Sequence, residues 1–202
     1  MRVAVTGTPG TGKTTAVEHL EADTSLGIEL PVVHLNEVLE AEGLHTGRDP
    51  DRGSLVADID AITDYLADYD DLLVESHLAH HLPVDRVVVL RCHPAVLSER
   101  LRERGESRDT AEENAESEAL DVILSEAVEE HGASNVYEIE TTDRSPTAIA
   151  AASRAAMMPS LSVVQTDPLR RRNEAPALSS PTKQQRSSSS TSTNHLKPTG
   201  TS

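Results

Sequence analysis

The chain has no Phe and no Trp, and only three Tyr among 202 residues. Its core must therefore be assembled from Val, Leu, Ile and Ala, without aromatic anchors. Cysteine occurs once, as Cys92. A single thiol excludes an intramolecular disulfide and a cysteine metal cluster, and its place after a predicted strand reads as structural. No apolar run approaches the ~20 residues that a membrane-spanning helix needs. The N-terminus runs directly into a strand rather than a secretory leader, so a cytoplasmic protein without membrane contact is expected. Lysine is the most telling shortage, because Lys13 is the only one in the first 182 residues. Acidic residues outnumber basic ones by 34 to 18, for a formal net charge of −16, which argues against a nonspecific nucleic-acid binder. Two explanations are open: simple acidic solubility, or a surface kept hydrated by carboxylates in very high salt. The near-absence of lysine favours the second.

The lysine that is present sits in Gly7-Thr8-Pro9-Gly10-Thr11-Gly12-Lys13-Thr14. This run fits the phosphate-loop pattern G-x-x-x-x-G-K-[ST] at every fixed position. Such a loop should leave a buried strand and open a helix. Arg2 to Thr6 is a short β-branched run, and Thr14 to Ala22 has helical spacing with Val17 and Leu20 on one side. Gly7, Gly10 and Gly12 allow backbone N–H groups to turn toward phosphate oxygens. The helix N-terminus adds partial positive charge. Lys13 reaches between the β- and γ-phosphates, Thr14 offers a hydroxyl to Mg²⁺, and Thr15 can donate toward the α-phosphate. The motif points to ATP with Mg²⁺ and leaves open what becomes of the γ-phosphate.

Strands and helices alternate along the rest of the body, which predicts an α/β fold with a parallel sheet. Further strands are expected at 31–35, 72–75, 87–90 and 135–140. Helices are expected at about 37–42, 54–66, 94–104, 110–130 and 146–157. A loop rich in Gly, Asp and Pro separates the first two of these helices, from Gly43 to Gly53. Near Pro159 the composition changes: 16 of the last 44 residues are Ser or Thr, and they carry a net +4 against −20 for the body. That tail, 159–202, reads as disordered, and its chemistry contradicts the body so sharply that a non-functional segment is the favoured reading over an RNA contact.

Two further clusters carry chemistry. Glu75 closes the run Leu72-Leu73-Val74, where a phosphate-loop protein places the carboxylate that holds a water on Mg²⁺. His77 lies two residues beyond and is a candidate for the site, ahead of His80 and His81; a metal cluster of the three is possible by residue type, but no fourth ligand at sensible spacing supports it. The second cluster is five arginines within 18 positions: Arg91, Arg100, Arg102, Arg104 and Arg108. Guanidinium groups stabilise charge on a migrating phosphoryl group. Arg104, beside Gly105 at the start of a segment able to close, is the favoured one. The alternative is an arginine face paired with Glu99, Glu103 and Glu106.

With these clusters in place, the chain resembles the archaeal and eukaryotic adenylate kinases of the ribosome-assembly type, isoenzyme six of the series. The matching stretches are Thr6 to Thr15, Val74-Glu75-Ser76-His77, Val89-Leu90-Arg91, Glu99-Arg100-Leu101 through Arg104-Gly105, and Glu113-Asn114-Ala115-Glu116-Ser117-Glu118. They cover residues 1–155 in order. The resemblance implies a phosphate-loop nucleoside monophosphate kinase fold with a five-stranded parallel sheet flanked by helices, spanning 1–158. It implies a monophosphate-binding region at about 34–57 and a lid at about 103–113. It implies transfer of the ATP γ-phosphate to AMP, some ATPase activity, and a role in small-subunit rRNA maturation with a platform ribosomal protein as partner. Gly10, Gly12, Lys13, Thr14 and Thr15 carry over as the ATP site, and Arg104 as the lid arginine. Two features depart from the family. Glu75 stands where Asp is common, and the lid lacks the lysines usual after Arg-Gly. Two other readings are open: an ATP-driven assembly switch, favoured by a monophosphate region that offers only Arg48 and Arg52 as phosphate anchors, and a small-molecule kinase of the shikimate or gluconate type.

Overall fold

In the computed structural model, residues 1–23, 25, 30–50 and 53–158 are described; the Ser/Thr-rich tail and Arg52 lie outside the described residues. The order of elements is β1 (Arg2–Thr6), α1 (Lys13–Ala22), β2 (Val32–His34), α2 (Leu35–Ala41), β3 (His45–Arg48) and β4 (Leu55–Ala57). Then come α3 (Ile59–Tyr65), β5 (Leu72–Glu75), β6 (Arg86–Arg91) and α4 (Pro94–Glu103). The chain closes with α5 (Arg108–Ala119), α6 (Val122–His131), β7 (Val136–Glu140) and α7 (Pro146–Met157). Five strands form one sheet in the order β2-β5-β1-β6-β7, every neighbour pair parallel. The parallel α/β architecture expected from the sequence is present.

The sheet is buried on both faces, which explains why its central strands are apolar runs rather than alternating ones. Val3, Val5, Leu73, Val88 and Leu90 pack on one side with α1 and α7, through Val17, Leu20 and Ile149. Ala4, Val74, Val87 and Val89 face the other side with Ile62, Leu66, Leu124 and Ala127. A smaller apolar cluster, Cys92, Leu97, Leu101 and Ala111, fills the space where α4 and α5 meet. Cys92 is buried there, in keeping with a structural role.

Two segments differ from expectation. Residues 43–53 are not all loop, and 54–57 are not helix: β3 and β4 pair antiparallel, with a register irregularity between His45 and Gly47. The helix starts only at Ile59, because Asp58 caps it by accepting the N–H of Ala61 at 3.1 Å. Leu55, Ile59, Ile62 and Leu66 have helical spacing in the sequence, but Leu55 belongs to β4. The single helix expected over 110–130 is two. It breaks at Leu120 and Asp121, where Asp121 takes φ 57. Asp adopts that left-handed conformation more readily than most residues, and its carboxylate is held 2.5 Å from Nη2 of Arg91. With neither Gly nor Pro at the break, local sequence did not announce it.

Leu73 is fully buried in the middle of the sheet. Leu73→Ala should lower stability by about 2–5 kcal/mol, measured by denaturant unfolding, because the surrounding strands cannot close the gap.

Candidate functional site

The C-terminal ends of β1, β5 and β2 lie side by side, with Val5 opposite Glu75 and His34 opposite Glu75. The phosphate loop leaves β1 at this edge. Gly7 approaches the next strand so closely that an added Cβ would lie 2.3 Å from the Leu90 carbonyl oxygen. Gly12 has φ 94 and is the N-cap of α1, a position that a Cβ would strain. Gly10 packs against Leu97 and Leu101. The loop is closed on itself by the Thr8 carbonyl, which accepts Thr11 N–H at 3.2 Å and the Thr11 hydroxyl at 2.9 Å.

Lys13 is buried, and its Nζ donates to the same Thr8 carbonyl at 3.2 Å. Burial lowers its pKa to about 8, although Glu75 and Glu118 raise it; the charge of Arg104 lowers it further. The ammonium is thus short of anionic partners, as expected of a group whose partner is a phosphate. Thr14, exposed in the first turn of α1, donates its hydroxyl to Glu75 Oε2 at 3.3 Å. His34 Nδ1 lies 3.2 Å from the same oxygen, and His34 Nε2 lies 3.4 Å from Glu21. Burial works against the His34 charge, but the hydrogen bonds to Glu75 and Glu21 outweigh it, so its pKa is raised. Thr15 is half-buried one residue further along α1. The Thr14 hydroxyl and Glu75 carboxylate are hard oxygen donors suited to Mg²⁺ coordinated through waters, so this edge fits that ion.

His77 is half-buried beyond β5. Burial, with the nearby charges of Lys13, His80 and His81, lowers its pKa to about 4, so near neutral pH it is an uncharged imidazole. Arg104 caps the C-terminal end of α4 and is exposed, with its charge felt at Lys13. The other arginines have separate tasks. Arg100 donates to the Thr142 carbonyl at 3.0 Å and to Cys92 Sγ at 3.4 Å, bracing the end of β7 against β6. Arg108 pairs with Glu112 at 2.6 Å on the surface, and Arg102 reaches the Ser98 carbonyl. Arg48 pairs with Glu40.

Glu118 received no role from sequence reasoning. It is only 3% exposed. Its Oε2 accepts the Thr8 hydroxyl, and its Oε1 accepts Arg91 Nε at 2.6 Å and Cys92 N–H at 3.0 Å. Arg91 Nη2 also donates to the Glu118 carbonyl at 3.0 Å. One carboxylate therefore ties the phosphate loop, the end of β6 and the last turn of α5 together. The only sequence signal was a glutamate at the end of a motif, in a helix crowded with other glutamates. Beside the loop lies a cleft of about 710 Å³, lined by Thr8, Pro9, Ser54, His77, Thr110 and Asn114 among others. Neither Lys nor Arg is among the described residues that line it.

A family model described as an AAA domain matches residues 3–121. A Natronomonas pharaonis protein named "Putative adenylate kinase" is 62% identical over 152 residues, covering 75% of this chain and 87% of its own length. A protein of the same name from Pyrococcus abyssi is 42% identical over 150 residues, covering 72% and 78%. Among solved structures, shikimate kinase from Bacteroides thetaiotaomicron shares the fold, with TM-score 0.52 and 18% identity over 78% of this chain and 97% of that one.

Two outcomes follow from these charges. Lys13 has a folded-state pKa of about 8 against a usual 10.5, so its penalty on stability is complete below pH 8 and vanishes as pH rises past 10.5. Lys13→Met should therefore stabilise the nucleotide-free protein by about 1–3 kcal/mol at pH 7, with the gain shrinking above pH 8, as read by urea titrations across pH. Glu118→Gln keeps the shape but removes charge from three hydrogen bonds. It should cost about 2 kcal/mol of stability and raise the KM for ATP more than it lowers kcat. An unchanged melting temperature with an unchanged KM would remove Glu118 from the site.

Proposed function

This chain belongs to the family of these archaeal adenylate kinases and is a phosphotransferase, and from that premise we propose that it transfers the ATP γ-phosphoryl group to AMP. A bond forms between an α-phosphate oxygen of AMP and the γ-phosphorus. The bond from that phosphorus to the β,γ-bridging oxygen breaks, and two ADP result. The acceptor phosphate is already anionic, so no strong general base is needed; positioning and fixed charge provide the catalysis.

The observation that carries this reading is the buried, partner-poor Lys13 beside the facing Thr14 and Glu75. In the proposal, Lys13 and the amides around Gly10 and Gly12 hold the β- and γ-phosphates, and Thr15 contacts the α-phosphate. Mg²⁺, when bound, neutralises phosphate charge, with Thr14 and Glu75 as its hosts, Glu75 through water. His77, as a neutral imidazole, orients a water or the acceptor. Arg104 swings over the migrating phosphoryl group as part of a lid at about 103–113, where Gly105 (φ 91) supplies the turn between α4 and α5. The region at about 34–57, α2 with the β3–β4 hairpin, is assigned to AMP.

The finer assignment follows the motif resemblance: the ribosome-assembly type, with ATPase activity, a part in small-subunit rRNA maturation and a platform ribosomal protein as partner, any RNA contact being indirect or weak. Cytoplasmic location and adaptation to high salt belong to the same reading. The acidic surface supports the salt assignment, as do close relatives from Natronomonas pharaonis and Halobacterium salinarum. Among the described residues, no helix is long and apolar enough to cross a membrane. A second reading, an ATP-driven assembly switch with incidental kinase activity, is favoured by one observation. Among the described residues, the cleft beside the phosphate loop is lined without Lys or Arg, a poor welcome for a second phosphate.

Turnover with Mg²⁺ in molar KCl, with and without AMP, separates the two. The kinase reading expects AMP to accelerate ATP consumption many-fold, with two ADP formed per ATP and all turnover lost in Lys13→Ala. Slow release of phosphate at a rate indifferent to AMP would replace it with the switch.

A further inference from the structure

The turn that follows His77 holds a cluster that phosphoryl transfer does not use. Ala79–His81 is a single 3-10 turn facing α6. His80 is 1% exposed. The Thr6 hydroxyl lies 3.3 Å from the His77 carbonyl oxygen and 3.0 Å from His80 Nδ1, and His80 Nε2 lies 3.1 Å from Glu126 Oε2. In one tautomer Nε2–H donates to Glu126; in the other Nδ1–H donates to Thr6, and Nε2 offers a lone pair to a cation shared with Glu126.

The surroundings supply the other donors of a metal site. The His81 ring lies beside that of His80, with centroids 4.0 Å apart. His81 Nδ1 is 2.7 Å from Glu130 Oε1. Glu126 and Glu130 are four residues apart on α6 and share a face. One nitrogen of His80, one of His81 and a carboxylate oxygen of Glu126 all lie within 4.8 Å of one another. Tetrahedral zinc places donors roughly 3.3 Å apart, and His80 Nε2 and Glu126 Oε2 are already 3.1 Å apart, so the remaining adjustment falls to His81. The Thr6 hydroxyl on His80 Nδ1 is the outer-shell contact that sets tautomer and ring orientation at metal-bound histidines. His80, His81 and Glu126 all line the cleft, which provides a route for an ion.

We propose that His80, His81 and Glu126 bind a divalent transition metal ion of the zinc type, with Glu130 holding His81 from the outer shell through Nδ1. Imidazole nitrogens select such an ion over Mg²⁺, and none of these residues is shared with the oxygen donors Thr14 and Glu75. The ion ties the turn carrying His77 to α6.

The test is calorimetric titration of the untagged full-length protein with Zn²⁺ in excess Mg²⁺. One saturable equivalent is expected, with a higher melting temperature when it is filled. Glu126→Gln and His81→Ala should each weaken binding by about tenfold or more. Glu126 and His81 are 43% and 31% exposed, so both variants should fold, as circular dichroism can verify. Glu129→Gln, on the exposed side of α6, should bind as the parent does. Lys13→Ala, inactive as a kinase, should also bind Zn²⁺ normally, so the site stands or falls apart from the proposed reaction. No saturable Zn²⁺ binding, or equal affinity in Glu126→Gln and His81→Ala, overturns the proposal.

Discussion

Lys13 carries a charge where water scarcely reaches, and the structure around it is arranged to tolerate that charge without neutralising it. The Thr8 carbonyl is its hydrogen-bond partner, while Glu75 and Glu118 act on it through space. A direct ion pair would hold the ammonium too firmly to release it to phosphate. Complete isolation would push its pKa low enough to strip the charge. The observed compromise keeps the cation available, and it depends on both carboxylates being fixed.

Each carboxylate is fixed by a different part of the fold. Glu75 is the last residue of a central parallel strand, flanked by Thr14 from the first helix and His34 from the edge strand. Glu118 belongs to α5, far along the chain, and reaches the phosphate loop only because α4 and α5 fold back over Cys92, Leu97, Leu101 and Ala111. Its hold on Thr8 links the loop to the helix that begins in the proposed lid.

The absence of Phe and Trp is met by the geometry of the sheet. A parallel sheet covered on both faces needs residues of nearly uniform thickness, and Val, Leu, Ile and Ala provide them. Acidic residues then fall on the outer faces of the helices. Among the described residues, the two that are buried, Glu75 and Glu118, each meet several donors.

Sequence alone determined the phosphate loop, the five-stranded parallel sheet and the placing of Glu75 at a strand end, because these rest on local patterns: glycine spacing, β-branched runs and helical periodicity. It misread 54–57 and the break at Asp121, where a cap and an αL residue override periodicity without a Gly or Pro to mark them. Tertiary structure alone decided which of many similar side chains do what. Among the lid-region arginines, Arg100 is a brace, while the charge of Arg104 is felt at Lys13. Among the glutamates of α5, Glu118 is the clamp. In the turn after His77, His80 and His81 come to face Glu126 and Glu130. Such roles depend on distances between segments tens of residues apart, and burial then turns an ordinary carboxylate or imidazole into a group with few permitted partners.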